Sequence, residues 1–135
     1  MQNYAAGAIS WTLGTDFNYN PHLPGGCNTC RGLVEVDTTA GTYSKTIDYY
    51  MIGQFSRFVP RGSIALSTTG SYDDGNGEKL EVAAFLTPDN LRTVVIQNNF
   101  GNKMYATVTF DSGETWSGQL YQESVTTWVL PPTHG

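Results

Sequence analysis

The sequence predicts a mainly β fold, a β-sandwich preceded by one apolar strand, a long loop and a single helix. Three observations carry this reading. After Gly62, six short runs rich in β-branched and aromatic residues recur at even spacing between turn-forming residues, as in a sandwich. Near the start, YAAGAISWTL over residues 4–13 is almost wholly apolar, which suits a strand buried on both faces in a parallel sheet. Between them, TIDYYMIGQFSRF over residues 46–58 places Ile47, Tyr50, Met51, Phe55 and Phe58 at helical spacing. The chain of 135 residues therefore divides into residues 1–62 and residues 63–135.

The elements follow in order. An Asn-, Pro- and Gly-rich loop occupies residues 14–32, and LVEVD at residues 33–37 alternates as a short strand does. Ser44 or Thr46 can cap the helix, and Pro60 ends it. The sandwich runs are SIALST, KLEVAAF, RTVVIQN, MYATVTF, TWSGQLY and SVTTWVL, with Trp116 and Trp128 expected in the core. Between the first two, Asp73-Asp74-Gly75-Asn76-Gly77 has a calcium-like composition. It lacks the twelve-residue loop and closing Glu of an EF-hand, and reads as a hairpin turn.

The long loop holds both cysteines, in GGCNTCRG. Zinc needs four good ligands, and Cys27, Cys30, His22 and His134 lack the second paired motif that would complete a tetrahedron. A dithiol redox centre puts its first cysteine at a helix N-terminus, where the dipole lowers the thiol pKa. Here Pro24-Gly25-Gly26 precedes the pair and a strand-like run follows it. A Cys27–Cys30 disulfide that pins one loop, in an oxidising compartment, is the remaining reading.

Composition narrows the function classes. Seven Lys plus Arg residues, scattered in a chain of net charge −5, form no basic stripe of the kind a nucleic-acid binder shows. No apolar run approaches the ~20 residues of a membrane span. Abundant Gly, Thr, Ser and Asn with few charges suit β-rich extracellular proteins, so the chain is expected to be extracellular, with no export signal in MQNYAAGAISWTLG. No cofactor or metal is implied.

Four motifs in order resemble glycoside hydrolase family 30. They are AISWTL at residues 8–13, GGCNTCRGLV at 25–34, DYYMIGQFSRFVPRG at 48–62 and SVTTWV at 124–129. Together they span nearly the whole chain. The resemblance implies the C-terminal end of an enzyme built from a (β/α)8 barrel with an attached β-sandwich. Residues 1–62 are then the last strand-helix unit of the barrel, with the eighth strand at residues 4–13, and residues 63–135 form the sandwich. The cysteine loop is most similar to that of fungal members acting on β-1,6-linked glucan or galactan.

By the same resemblance, the partners are a polysaccharide or oligosaccharide and the missing barrel portion of the parent enzyme. Retaining enzymes of this kind use two carboxyls about 5–5.5 Å apart. In the family these follow the fourth and seventh barrel strands, upstream of this region, so no catalytic residue is expected here. Glu35, Glu78, Glu81, Glu114 and Glu123 read instead as solvated surface residues. A substrate wall does carry over. Trp11 sits where the eighth strand ends, on the face where barrel enzymes build their sites, and an indole face stacks on a pyranose. The family usually continues with Asn, whereas Thr12 stands here. Asp16, Asn18 and His22, with Tyr19 and Asn20, follow on the loop as candidate substrate contacts.

Three functions remain open: a portion of a family 30 hydrolase, inactive alone; a free-standing carbohydrate-binding sandwich, which needs a row of exposed aromatics on one sheet face; and a structural module without sugar binding.

Overall fold

A computed structural model describes residues 7–132, which form two compact units, residues 7–53 and residues 54–132. The first unit holds a three-stranded sheet of order β1-β2-β3, made by β1 (Gly14–Asp16), β2 (Val34–Asp37) and β3 (Thr42–Lys45). β1 runs parallel to β2, with Gly14 opposite Val34, and β3 returns antiparallel with Tyr43 opposite Val36. The β2–β3 hairpin closes through Asp37. Its Oδ1 accepts from the Thr39 and Ala40 amides, both at 2.9 Å, and Gly41 takes a positive φ of 67°.

The expected strand at residues 4–13 is corrected. Residues 4–6 lie outside the described residues, and residues 7–13 form no strand. A parallel strand exists only through its neighbours, and among the described residues only the Thr12 and Leu13 carbonyls accept, from the Leu33 and Val34 amides, each at 3.0 Å. Far from being buried, Ile9, Trp11 and Leu13 are exposed.

The helix α1 spans Ile47–Ser56, a little inside the expected limits. Thr46 does not cap it. Its hydroxyl donates instead to the Gly32 or Leu33 carbonyl, each 3.0 Å away, and is buried there. Past Ser56 the Phe55 carbonyl takes the Val59 amide at 2.8 Å, before Pro60.

In the second unit all six expected strands form: β4 (Ile64–Leu66), β6 (Lys79–Leu86), β7 (Arg92–Asn98), β8 (Met104–Thr109), β9 (Thr115–Leu120) and β10 (Ser124–Leu130). A two-residue β5 (Tyr72–Asp73) adds to β6. One layer has the order β10-β7-β6-β4, all antiparallel, and the other is the β8–β9 hairpin. Alternation sends Ala84, Val94, Ile96 and Leu130 from the first layer against Ala106 and Leu120 from the second. β7 is central, and Val94 and Thr93 are wholly buried on its opposite faces. The reverse face of the large layer is covered by the last turn of the helix and the residues after it. Phe55 meets Phe85 edge-on at 6.2 Å, and the Phe58 carbonyl accepts from Thr93 Oγ1 at 2.8 Å. Gly118 interrupts β9 for a steric reason: a Cβ there would lie 3.0 Å from the Trp128 ring.

The expectation that Glu114 is a solvated surface residue is also corrected. Arg92, 4% exposed, grips it in a two-pronged pair, Nη1 to Oε2 at 2.7 Å and Nη2 to Oε1 at 3.0 Å. Trp116 Nε1 donates to the same carboxylate at 2.7 Å. Arg92 also donates through Nε to the Pro131 carbonyl at 2.9 Å and lies 4.2 Å over the Phe110 ring. Glu78 likewise accepts from the Gly101 amide at 3.0 Å.

This buried pair sets a test. Glu114→Ala strands the guanidinium and is expected to cost about 3–5 kcal/mol, read as a lower urea midpoint. The double change Arg92→Met with Glu114→Leu should cost less than the single one, because no unpaired charge remains.

Candidate functional site

The candidate site belongs to the first unit and is organised by one close approach. Gly32 is buried where the loop turns into β2, and a Cβ on it would stand 2.7 Å from the Gly14 Cα and the Thr15 nitrogen. Only glycine lets the two backbones come this near. Its amide donates to Thr15 Oγ1 at 3.1 Å, and its carbonyl can accept the Thr46 hydroxyl. Sequence reasoning missed both threonines as functional supports. Both residues are buried; Thr15 stands in a stretch read as loop, and Thr46 in one read as a helix start.

From this clamp the loop over residues 16–31 projects. Asp16 Oδ1 accepts the Asn18 and Asn20 amides, both at 2.8 Å, while the Asp16 amide donates to the Asn20 carbonyl at 2.8 Å. Tyr19 takes a positive φ of 64° inside this turn. The Asn20 amide above all, helped by the Asn18 amide, the Asn20 side chain and the nearby His22, holds the Asp16 carboxyl below its ordinary range against the opposing effect of desolvation. Further along, Leu23-Pro24-Gly25-Gly26 closes a turn with the Gly26 amide on the Leu23 carbonyl at 2.8 Å and Gly25 at φ 81°. Cys27 and Cys30 are joined by a disulfide, which leaves neither as a zinc ligand, and His134 lies outside the described residues. The Trp11–Thr12 and Asn20–Pro21 peptide bonds are cis.

The expected contacts fare differently. Asp16, Asn18 and His22 come together on one turn, where the Asp16 carboxylate is spent on backbone amides. Trp11 is 76% exposed. Beside the turn, Gly14, Asn20, Pro21, Val36 and Thr38 line a shallow groove. Val36 and Thr38 also line an adjoining one, which ends at Leu13 and the exposed Tyr43. Tyr43 was missed, since TYSK reads as polar loop rather than strand. The assembled chemistry is neutral amides, one imidazole and exposed ring faces, which can hold and orient a hydroxyl-rich ligand.

Comparisons with known proteins agree on a family. The glycosyl hydrolase family 30 beta sandwich domain matches residues 62–128. An endo-1,6-beta-D-glucanase of Neurospora crassa is 53% identical over 97% of this chain and 28% of its own length. One from Trichoderma harzianum is 48% identical over 97% of this chain and 26% of its own. Among solved structures, an endo-beta1,6-glucanase superposes with a TM-score of 0.79 at 30% identity, covering 93% of this chain and 27% of that one. The chain thus spans less than a third of the length of the relatives it matches.

Two tests follow from the clamp and the turn. Gly32→Ala is expected to push β1 off β2 at about 1–3 kcal/mol, seen as faster amide exchange of Thr15 and Asp16 together with a lower thermal midpoint. The Asp16 carboxyl has its folded pKa lowered, so its support of the turn is complete above the ordinary value of 3.8 and is lost as pH falls through the folded value. Asn18 and Asn20 amide resonances should therefore shift on acidification with a midpoint below 3.8, and Asp16→Asn should abolish that transition.

Proposed function

Because the chain belongs to glycosyl hydrolase family 30, we propose that it is the C-terminal portion of a retaining hydrolase of β-1,6-linked glucan, contributing structure and substrate binding. The near-complete match to fungal endo-1,6-beta-D-glucanases carries this reading. On this reading residues 1–62 are the last strand-helix unit of a barrel. The run at residues 7–13, which forms no strand, and the exposed Ile9 and Leu13 suit a segment completed by neighbouring units. Trp11 stacks on the apolar face of a glucose ring, and Asn18 and His22 supply hydrogen bonds from a turn that Asp16 stiffens. The two carboxyls that protonate the leaving group and form the glycosyl intermediate come from the barrel portion. The Cys27–Cys30 bridge suits an extracellular protein. No helix among the described residues is long and apolar enough to cross a membrane.

A free-standing carbohydrate-binding sandwich is less well supported. On the outward face of β8–β9, Thr107, Thr109, Thr115, Ser117 and Gln119 surround a single aromatic, Tyr105, where a row would be needed.

The reading is tested in two ways. The purified chain should release no reducing sugar from β-1,6-glucan, and turnover abolished by changing one of its five glutamates would overturn the proposal. In the longer enzyme, Trp11→Ala should raise KM several-fold to about tenfold, the magnitude of one lost stacking contact. An unchanged KM would remove Trp11 from the site.

A further inference from the structure

We propose that the Asn76–Gly77 bond is a self-modifying site, at which the asparagine side chain cyclises onto the Gly77 nitrogen and is converted to aspartate and isoaspartate. Asn76 is the one asparagine of the chain followed by glycine. Both residues are exposed in the turn between β5 and β6, and the space where a Gly77 Cβ would stand is open. Nothing therefore screens the Gly77 nitrogen from the neighbouring side chain. Among the described residues its N–H donates to no protein acceptor, while its carbonyl accepts from Asn99 Nδ2 at 3.2 Å. Among the described residues the Asn76 side-chain amide is held only by long contacts from Nδ2, 3.3 Å to Asp74 Oδ2 and 3.5 Å to the Asp74 carbonyl. These engage the nitrogen that must leave and spare the carbon that is attacked.

The same turn contains an internal comparison. Asp74–Gly75 is also an acid-glycine pair capable of the same cyclisation, yet its geometry opposes it. The Gly75 amide donates to Asp73 Oδ1 at 2.9 Å, which occupies the would-be nucleophile. The Asp74 carboxylate accepts the Asn76 amide at 2.8 Å and the Glu78 amide at 3.0 Å, which favours the ionised form, a poor electrophile. Asn76 has neither protection.

The chemistry balances with water as the only co-reactant. The Gly77 nitrogen bonds to Asn76 Cγ, the Cγ–Nδ2 bond breaks, and ammonia departs with the proton from Gly77. Water then adds to one carbonyl of the resulting succinimide. Opening at Cγ yields aspartate, and opening at the main-chain carbonyl yields isoaspartate, the Gly77 nitrogen regaining its hydrogen in each case. Either product puts a third carboxylate beside Asp73 and Asp74, and removes the donor that Asn76 Nδ2 offered to Asp74.

Holding the folded chain at mildly alkaline pH, followed by digestion and peptide mass mapping, tests this. The amide-to-acid mass gain and isoaspartate should appear first in the peptide containing residue 76, with an additional, more acidic species on ion exchange. Asn76→Gln should show neither. Earlier conversion of another asparagine, or isoaspartate arising first at Asp74, would overturn the proposal. So would retention of the Asn76 amide in the folded chain over a period in which the urea-unfolded chain loses it.

Discussion

The unit that carries the candidate site depends on the absence of one Cβ. At Gly32 the chain passes so close to Gly14 and Thr15 that any side chain would meet backbone rather than a movable neighbour. That approach allows β1 and β2 to pair in parallel, which in turn fixes both ends of the loop over residues 16–31. Two buried threonines hold the point from either side, one accepting the Gly32 amide and the other donating toward its carbonyl. A loop of this length would ordinarily be costly to order. Tying its ends to one short sheet, its first turn to the Asp16 carboxylate and its last turn to a disulfide divides that cost among small closed pieces.

The sandwich uses glycine and charge in a related way. Gly118 makes room for the Trp128 ring against the core, so a position poor in strand propensity is offset by the partial burial of an indole. At the end of the central strand, Arg92 is nearly as buried as the aliphatic residues beside it. A guanidinium in that setting is tolerable because every direction it presents finds a partner: the Glu114 carboxylate, the Pro131 carbonyl and the face of Phe110. The pair ties β7 to the turn before β9 and to the segment after β10. Its stabilisation lies less in net energy than in fixing which ends meet.

The sandwich strands were legible because six short runs of β-branched and aromatic residues stand between turn-forming residues, and that signal is local. Residues 7–13 misled for the opposite reason. An apolar composition says that a run wants burial, whereas a strand also requires a ladder, and no local pattern reveals whether partners stand beside it. β3 was invisible because TYSK is exposed at every position and carries no hydrophobic alternation. Thr46 has cap-like sequence context yet spends its hydroxyl on the Gly32 turn. Glu114 was misjudged because its partner Arg92 lies far away in sequence, and the pairing of two charges over such a distance leaves no periodic trace. At the site, the disulfide and the turn were readable from short-range chemistry, while the Gly32 contact and the role of Tyr43 depend on strand pairing.

The carboxylates of the chain, in each unit separately, are committed in a way that pKa direction makes visible. A general acid for glycoside cleavage needs its carboxyl raised, usually by a poor solvent environment or a like-charged neighbour. Asp16, Asp73 and Asp74 are all displaced downward, first of all by backbone amides that donate to the ionised form. Such groups make rigid turns and poor proton donors. Glu78 and Glu114 are likewise engaged as acceptors, from a backbone amide and a guanidinium. What the first unit leaves exposed is different in kind: the Trp11 and Tyr43 rings and neutral side chains such as Asn18. Rings and neutral donors discriminate a sugar by shape and hydroxyl pattern without titrating. On the proposed reading, this arrangement would hold a polysaccharide in place for carboxyls tuned in the other direction.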